Sequence, residues 1–234
     1  MRKTILTVFV LLFFVVGSGL FAQYNPGEGF NLAWSLDPTG DPNFDTRDGY
    51  GARSVQVGMD FDRDGHREIM FTMDEALAPG GPDPGLVDVY LYEATGNDTY
   101  EHVWHYTSPD LGNSLPGLAY GDIDEDGLYE IYLGVAPAVG SNDDTWGTHI
   151  FEQDTSGVFP ATPTLIFQYG LTVNDNFRAA GFVLDDVDGD GDIELVTVDR
   201  GTRKMTVHSL VGTDFNEFAA FTQEFIDTEN LGGG

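Results

Sequence analysis

The chain has 234 residues, and its 39 acidic against 10 basic side chains give a formal net charge of -29. Such a charge repels nucleic acid, which proteins bind through Lys and Arg contacts to phosphate, so we exclude a nucleic-acid partner. A hydrophobic content of 41% with 13% aromatic residues excludes a disordered acidic tail, and the absence of cysteine excludes disulfides and thiolate metal sites.

Residues 1–22 have the pattern of a secretory signal peptide. Arg2 and Lys3 precede an apolar run over residues 5–16, and the segment ends on the small residue Ala22. A transmembrane anchor is the alternative, since residues 4–22 are long enough to cross a bilayer as a helix. We expect cleavage after Ala22 and bacterial export, giving a secreted, extracellular or cell-surface protein with no stable membrane insertion.

An acidic nonapeptide occurs three times, over residues 60–68, 122–130 and 186–194. Each copy follows the pattern Asp-x-Asp-x-Asp-Gly-x-x-Glu, and the first aspartates lie 62 and 64 residues apart. Alternating apolar residues stand on both sides of each copy, and this period of two predicts a strand before and after a turn. Such regular spacing is typical of a repeat protein.

Each repeat contains two further alternating segments, so the pattern predicts four antiparallel strands per repeat. Stacked four-stranded sheets of this kind build a β-propeller. We therefore predict an all-β fold of about three blades in an incomplete circle, preceded by an N-terminal outer strand of a further blade at residues 30–36. The predicted divisions are a lead-in with that strand and then three blades, over residues 23–49, 50–113, 114–176 and 177–234.

The acidic loops between strands resemble the FG-GAP or VCBS-type repeats of integrin-like propellers and secreted bacterial proteins. The resemblance covers most of residues 50–226 and rests on the three acidic nonapeptides. It implies a binding or adhesion module whose ligand is an extracellular glycan or protein. Two alternatives stay open: an enzyme on the same scaffold, acting on polysaccharides as a lyase or hydrolase, and a structural spacer of a larger secreted protein.

Each acidic loop has the composition of a calcium site. Crowded carboxylates repel one another, and a hard cation that takes about six to eight oxygen ligands removes that cost. We predict about three Ca²⁺ sites with side-chain ligands at loop positions one, three, five and nine and a backbone carbonyl at position seven; solvated acidic turns are the alternative. The predicted ligands are Asp60, Asp62, Asp64, His66 and Glu68 in loop 1, Asp122, Asp124, Asp126, Leu128 and Glu130 in loop 2, and Asp186, Asp188, Asp190, Asp192 and Glu194 in loop 3.

The spacing within the loops separates them from an EF-hand. Their closing glutamate stands at position nine between predicted strands, whereas an EF-hand closes at position twelve between helices. Gly65, Gly127 and Gly191 occupy position six, where the chain turns sharply, and we expect positive φ angles there.

The connection between the second and third predicted strands of repeat 2 offers a candidate ligand site. Asn142, Asp143, Asp144 and Trp146 combine polar groups with an aromatic platform suited to a sugar ring or a peptide. A solvent loop without a ligand is the alternative.

The sequence contains no catalytic constellation that we can identify, and we predict no catalytic residue. Neither a nucleophile elbow nor a phosphate-binding loop occurs in it. His102 and His105 lie three residues apart on a predicted strand, which places them on opposite faces. His149 and His208 are interpreted as structural residues of strands.

Overall fold

The computed structural model describes residues 34–36, 52–74, 86–109, 116–137, 145–210 and 221–226. The predicted signal peptide lies outside these ranges, as does the predicted strand at 30–36 except for residues 34–36, which have no regular secondary structure. No helix in the described ranges is both long and apolar enough to span a bilayer.

The described residues form three four-stranded antiparallel sheets, each a meander in chain order. Sheet 1 consists of β1 Ala52–Met59, β2 Glu68–Asp74, β3 Val87–Gly96 and β4 Thr99–Thr107. Sheet 2 consists of β5 Leu118–Gly121, β6 Glu130–Val135, β7 Gly147–Glu152 and β8 Leu165–Phe167. Sheet 3 consists of β9 Ala179–Asp185, β10 Glu194–Asp199, β11 Lys204–Leu210 and β12 Phe221–Ile226, and one 3₁₀ turn at Val173–Asp175 precedes it. The prediction of an all-β, incomplete propeller of three blades is confirmed.

Sheet 2 lies between the other two sheets. One core joins sheet 1 to sheet 2 and contains Met70, Leu91, Ile131 and Phe151. A second core joins sheet 2 to sheet 3 and contains Tyr132. Because both of its faces are covered, β6 is buried at every position, and its sequence lacks the apolar-polar alternation of a half-exposed strand.

Polar groups also bridge neighbouring sheets. Tyr106 of sheet 1 and His149 of sheet 2 are hydrogen-bonded, with the hydroxyl 3.0 Å from Nδ1. The hydroxyl of Tyr169 lies 2.7 Å from Oγ1 of Thr148 in sheet 2 and 2.8 Å from Oγ1 of Thr197 in sheet 3. These pairs satisfy polar groups that packing of the sheets removes from water.

The prediction that His102 and His105 face opposite sides of a strand is wrong. A register shift in the β3–β4 pairing places Tyr92 opposite His102 but Leu91 opposite Trp104, so Val103 is an extra residue in β4. A bulge of this kind breaks the period of two. The two imidazole rings consequently lie on the same face, with centroids 5.2 Å apart.

Candidate metal centre

The three acidic loops connect the first and second strands of the three sheets. In each sheet the loop begins at the end of the first strand, and its closing glutamate, Glu68, Glu130 or Glu194, is the first residue of the second strand. The closing carboxylate is thereby held by the sheet, while the aspartates project from the turn. Because the sheets are equivalent, the three loops present the same groups in the same order.

One hydrogen-bond pattern recurs in all three loops, in which amide N–H groups of the turn donate to the loop's own carboxylates. In loop 2 the N–H of position five donates to Asp124 (3.3 Å), that of six to Asp122 (3.0 Å) and that of seven to Asp126 (2.7 Å). The N–H of Ile123, at position two, donates to Glu130 (2.9 Å). The same donors and acceptors occur in loop 1 and loop 3.

The carboxylates of positions one, three and nine converge in every loop. In each set, one oxygen from each carboxylate lies within 4.8 Å of one oxygen from each of the other two. The sets are Asp60, Asp62 and Glu68; Asp122, Asp124 and Glu130; and Asp186, Asp188 and Glu194. Three carboxylates this close can supply oxygen ligands to a single cation.

The remaining predicted ligands are placed differently. The aspartates of position five, Asp64, Asp126 and Asp190, are not members of these three sets, and each accepts a hydrogen bond from the N–H of position seven. The ligand roles of position five and of the position-seven carbonyls of His66, Leu128 and Asp192 stay predictions.

The backbone of the loops is left-handed at two positions. Gly65, Gly127 and Gly191 at position six have φ angles of 93°, 88° and 104°, as the turn required. Position four is also left-handed, at φ 62° in Arg63, 56° in Glu125 and 85° in Gly189. The sequence did not reveal this second position, because only loop 3 carries glycine there.

The closing glutamates are the buried members of the sites. Glu68 is 3% exposed, and Glu130 and Glu194 are fully buried. Burial raises the pKa of Glu68 to about 7 and that of Glu130 to about 9, and neighbouring aspartates, Asp62 and Asp124 respectively, add to the shift. Desolvation also raises the pKa of Asp124. Without a counter-charge, Glu68 and Glu130 therefore bind a proton more readily than an exposed glutamate does.

Loop 2 contains oxygen atoms with no hydrogen-bond partner among the described residues. Oε1 of Glu130 and Oδ1 of Asp122 are both buried and unpartnered. A buried polar atom without a partner costs free energy, and the two atoms belong to carboxylates of one converging set. The all-oxygen donor set and these free lone pairs fit a hard divalent cation.

The chain segment between β7 and β8 packs against loop 1, a contact that the sequence analysis missed. Gly157 has a φ of 83°, and a Cβ atom there would lie 2.5 Å from Cα of Asp62. Phe159 meets Phe61 edge to face, with ring centroids 4.9 Å apart. A cavity of about 220 Å³ lies between this segment and loop 1. In an antiparallel meander the third connection emerges at the same end as the first, which is the signal that could have revealed this contact.

His66 belongs to a further group beside loop 1. Its Nδ1 lies 3.3 Å from Oδ2 of Asp64 and 3.6 Å from Oε1 of Glu93 on β3. Burial raises the pKa of Glu93, and the carboxylates of Asp64 and Asp62 add to the shift. Sequence spacing could not have found Glu93, because only the β2–β3 pairing brings it opposite Glu68.

The prediction that Trp146 forms an exposed aromatic platform for a ligand is wrong. Its side chain is 1% exposed, and its ring packs 5.8 Å from that of Phe177 in the core between sheets 2 and 3. Trp146 directly precedes β7 and points into the sheet interface instead of the loop surface. Asn142, Asp143 and Asp144 lie outside the described residues.

A comparison with protein families matches residues 60–133 to a family described as an FG-GAP-like repeat. This part of the chain is similar to an FG-GAP-like repeat. The match begins at the first aspartate of loop 1 and ends within β6, so it includes the acidic loops of sheets 1 and 2. No curated protein matches the chain.

Proposed function

We propose that the acidic loops bind Ca²⁺ and that the three sheets form a calcium-stabilised binding or adhesion module of an exported protein. The observation that carries the calcium proposal is Glu130, whose carboxylate is fully buried, has one oxygen without a partner and converges with Asp122 and Asp124. A cation at this point supplies the counter-charge that the buried carboxylate lacks.

The donor chemistry favours Ca²⁺ over other common metals. The groups that converge from positions one, three and nine of the loops are carboxylates only, which suit hard cations, whereas zinc sites favour His and Cys ligands. Ca²⁺ accepts irregular loop geometry, whereas Mg²⁺ demands a near-ideal octahedron and keeps several of its waters. Turns carrying clustered aspartates therefore suit Ca²⁺ best.

A binding role is supported by the similarity to an FG-GAP-like repeat and by the stack of three sheets. The proposed ligand is an extracellular glycan or protein. Export is proposed from the signal-peptide pattern of residues 1–22.

Calorimetric titration with CaCl₂ and thermal melting in calcium and in chelator test the calcium proposal. We expect about three sites and a higher melting temperature in calcium, since a ligand that binds only the folded state stabilises it. Glu130→Gln should remove one site. The matched control is Glu101→Gln, which changes an exposed glutamate of β4 in the same way and should leave all sites intact.

Two outcomes would contradict this function. A folded protein that releases no heat with CaCl₂ and melts identically in chelator would show that the loops are solvated turns. Equal calcium binding by Glu130→Gln and wild type would exclude loop 2 as a site.

A further inference from the structure

The second residue of each acidic loop occupies an equivalent place in the three sheets but differs in exposure. Phe61 is 2% exposed and Ile123 is 4% exposed, whereas Val187 is 50% exposed. Phe61 is buried because sheet 2 packs over it through Phe159, and Ile123 belongs to the core shared with sheet 3. Val187 has half of its surface open to solvent.

The same contrast holds on the strands. In sheet 2, Ala119 of β5 pairs with Tyr132 of β6 on the face that sheet 3 covers, and these residues are 6% and 0% exposed. The equivalent pair in sheet 3 is Val183 and Val196. Val183 is 53% exposed, although its equivalent in sheet 2, Ala119, is buried against sheet 3.

Sheet 3 therefore has an open apolar face, which we call the trailing face and define by Val183, Val187, Val196 and Val198. Val198 is 48% exposed and lies on β10 two residues beyond Val196. Sheet 2, which lies between the other two sheets, buries its equivalent residues Ala119, Ile123, Tyr132 and Gly134. The trailing face continues the contact surface by which sheet 1 packs on sheet 2 and sheet 2 packs on sheet 3.

The first strand of sheet 1 is open on the opposite side. Val55 and Val57 are 62% and 61% exposed. Val55 pairs with Phe71 in sheet 1 in the way that Leu118 pairs with Leu133 in sheet 2, so Val55 and Leu118 are equivalent. Leu118, however, is only 4% exposed, because it lies in the core between sheets 1 and 2. We call Val55 and Val57 the leading edge. Inside the array, residues equivalent to the leading edge pack against the preceding sheet.

We propose that the trailing face binds a second copy of this chain, whose leading edge occupies the place of the next sheet. The two surfaces are the two halves of a contact that the chain already makes between sheets 1 and 2 and between sheets 2 and 3. The described residues of two copies joined head to tail at both ends supply six sheets, within the range of about four to eight that closes a propeller. Head-to-tail contacts that close in this way form rings instead of filaments.

The net charge of -29 on each copy opposes this association. Repulsion between the copies weakens as salt rises, and bound cations reduce it further. Association should therefore increase with ionic strength and with calcium. Val187 lies between Asp186 and Asp188 of loop 3, so the contact would also bury the side chain that separates two carboxylates of that site.

Sedimentation of the purified chain over a range of concentrations and salt tests the proposal. We expect the mass of two copies for wild type and the mass of one copy for the double variant Val183→Glu with Val198→Glu. The matched control is Val158→Glu, which changes a valine that is 59% exposed in the segment between β7 and β8 and should leave the mass of two copies. Circular dichroism establishes that each variant is folded.

A mixing experiment tests the head-to-tail geometry. A Val55→Glu, Val57→Glu variant should also sediment as one copy, yet an equimolar mixture with the trailing-face variant should recover two-copy species through one intact contact. A single-chain mass for wild type at every concentration and salt, or a two-chain mass that survives the trailing-face substitutions, overturns the proposal. Calcium binding is measured separately on the same variants, so failure of association and failure of the calcium sites are distinguishable.

Discussion

At the scale of single residues, the closing glutamates decide the chemistry of the loops. Water solvates the charge of an exposed carboxylate, but a carboxylate that the sheet buries needs another partner for its charge. Glu130 is the clearest case of such a buried carboxylate. Its side chain is buried, burial raises its pKa to about 9, and one of its oxygens has no hydrogen-bond partner.

Glu130→Gln should raise the stability of the calcium-free protein while lowering its response to calcium. The folded pKa of about 9 lies above the ordinary value of 4.5, so the metal-free stability contributed by this group is present below pH 4.5 and is lost as pH rises toward 9. At pH 7 the neutral amide of the variant should therefore restore roughly 3 kcal/mol of the free energy of unfolding. Denaturant unfolding in chelator measures this, and a Glu130→Gln protein less stable than wild type in chelator would contradict it.

Gly191→Ala should destabilise loop 3 through its backbone alone. No atom lies within 4 Å of the added methyl group, but the φ of 104° is one that side chains rarely adopt. We expect a loss of about 1–2 kcal/mol in the free energy of unfolding and weaker calcium binding. The control is Gly181→Ala in β9, where the nearest atom is 4.0 Å away and φ is ordinary. Equal effects of the two substitutions would refute the conformational argument.

At the scale of secondary-structure elements, the meander fixes which connections share an end of a sheet. The first and third connections emerge together, so the segment between β7 and β8 meets loop 1 of the neighbouring sheet. Its contacts include Phe159 on Phe61 and the indole N–H of Trp104, which donates to the carbonyl of Pro160 at 3.1 Å. Loop 1 is therefore supported by two sheets.

Gly157→Ala should displace the β7–β8 segment from loop 1 and weaken the first calcium site. The added Cβ would meet Asp62 at 2.5 Å, which requires the backbone to move. We expect a loss of roughly 1–3 kcal/mol in stability from this overlap. Gly170→Ala is the matched control, since Gly170 also has a positive φ of 67° but no neighbour within 4 Å. The difference between the two variants, measured by unfolding and by calcium titration, isolates the contact.

At the scale of the whole molecule, stability comes from two cores, polar bridges between sheets and the proposed cations. At calcium tenfold above its dissociation constant, each site would add about 1.4 kcal/mol, so three sites would add about 4 kcal/mol. This is a substantial part of the typical stability of a domain, roughly 5–15 kcal/mol. The high negative charge makes the same protein sensitive to salt and to chelator.

The contact between sheets 1 and 2 should weaken in acid through His149. Burial lowers the pKa of His149 to about 4 from 6.5, so the folded state binds fewer protons than the unfolded state between these values. The contribution of the neutral imidazole to the free energy of unfolding is fully present above pH 6.5. About 3 kcal/mol of it is lost as pH falls toward 4.

His149→Gln should therefore flatten the fall in unfolding free energy between pH 6.5 and pH 4, relative to wild type. Tyr106→Phe serves as the comparison, because it removes the hydroxyl bonded to His149 but leaves a titratable imidazole in place. That variant should be less stable at every pH with the pH dependence retained. An unchanged slope in His149→Gln would rule out this histidine as the source.

Features that depend on near neighbours along the chain could be predicted from the sequence. The strands around each loop follow from alternating residues, and positions one, three and nine converge because a single turn joins two paired strands. The positive φ at Gly65, Gly127 and Gly191 follows from the same turn. The four strands of each sheet could be predicted because each pairs with the next strand in the sequence, so no distant pairing had to be inferred.

Features that depend on which sheet packs on which, or on how the strands pair, could not be predicted in this way. Trp146 is buried because sheet 3 covers its side of sheet 2, and His102 and His105 share a face because β4 contains an extra residue that alternation cannot reveal. Glu93 reaches His66 through strand pairing. Phe61, Ile123 and Val187 occupy one position of the repeat, yet only the first two are buried, since burial depends on a neighbouring sheet and not on the residue's own segment.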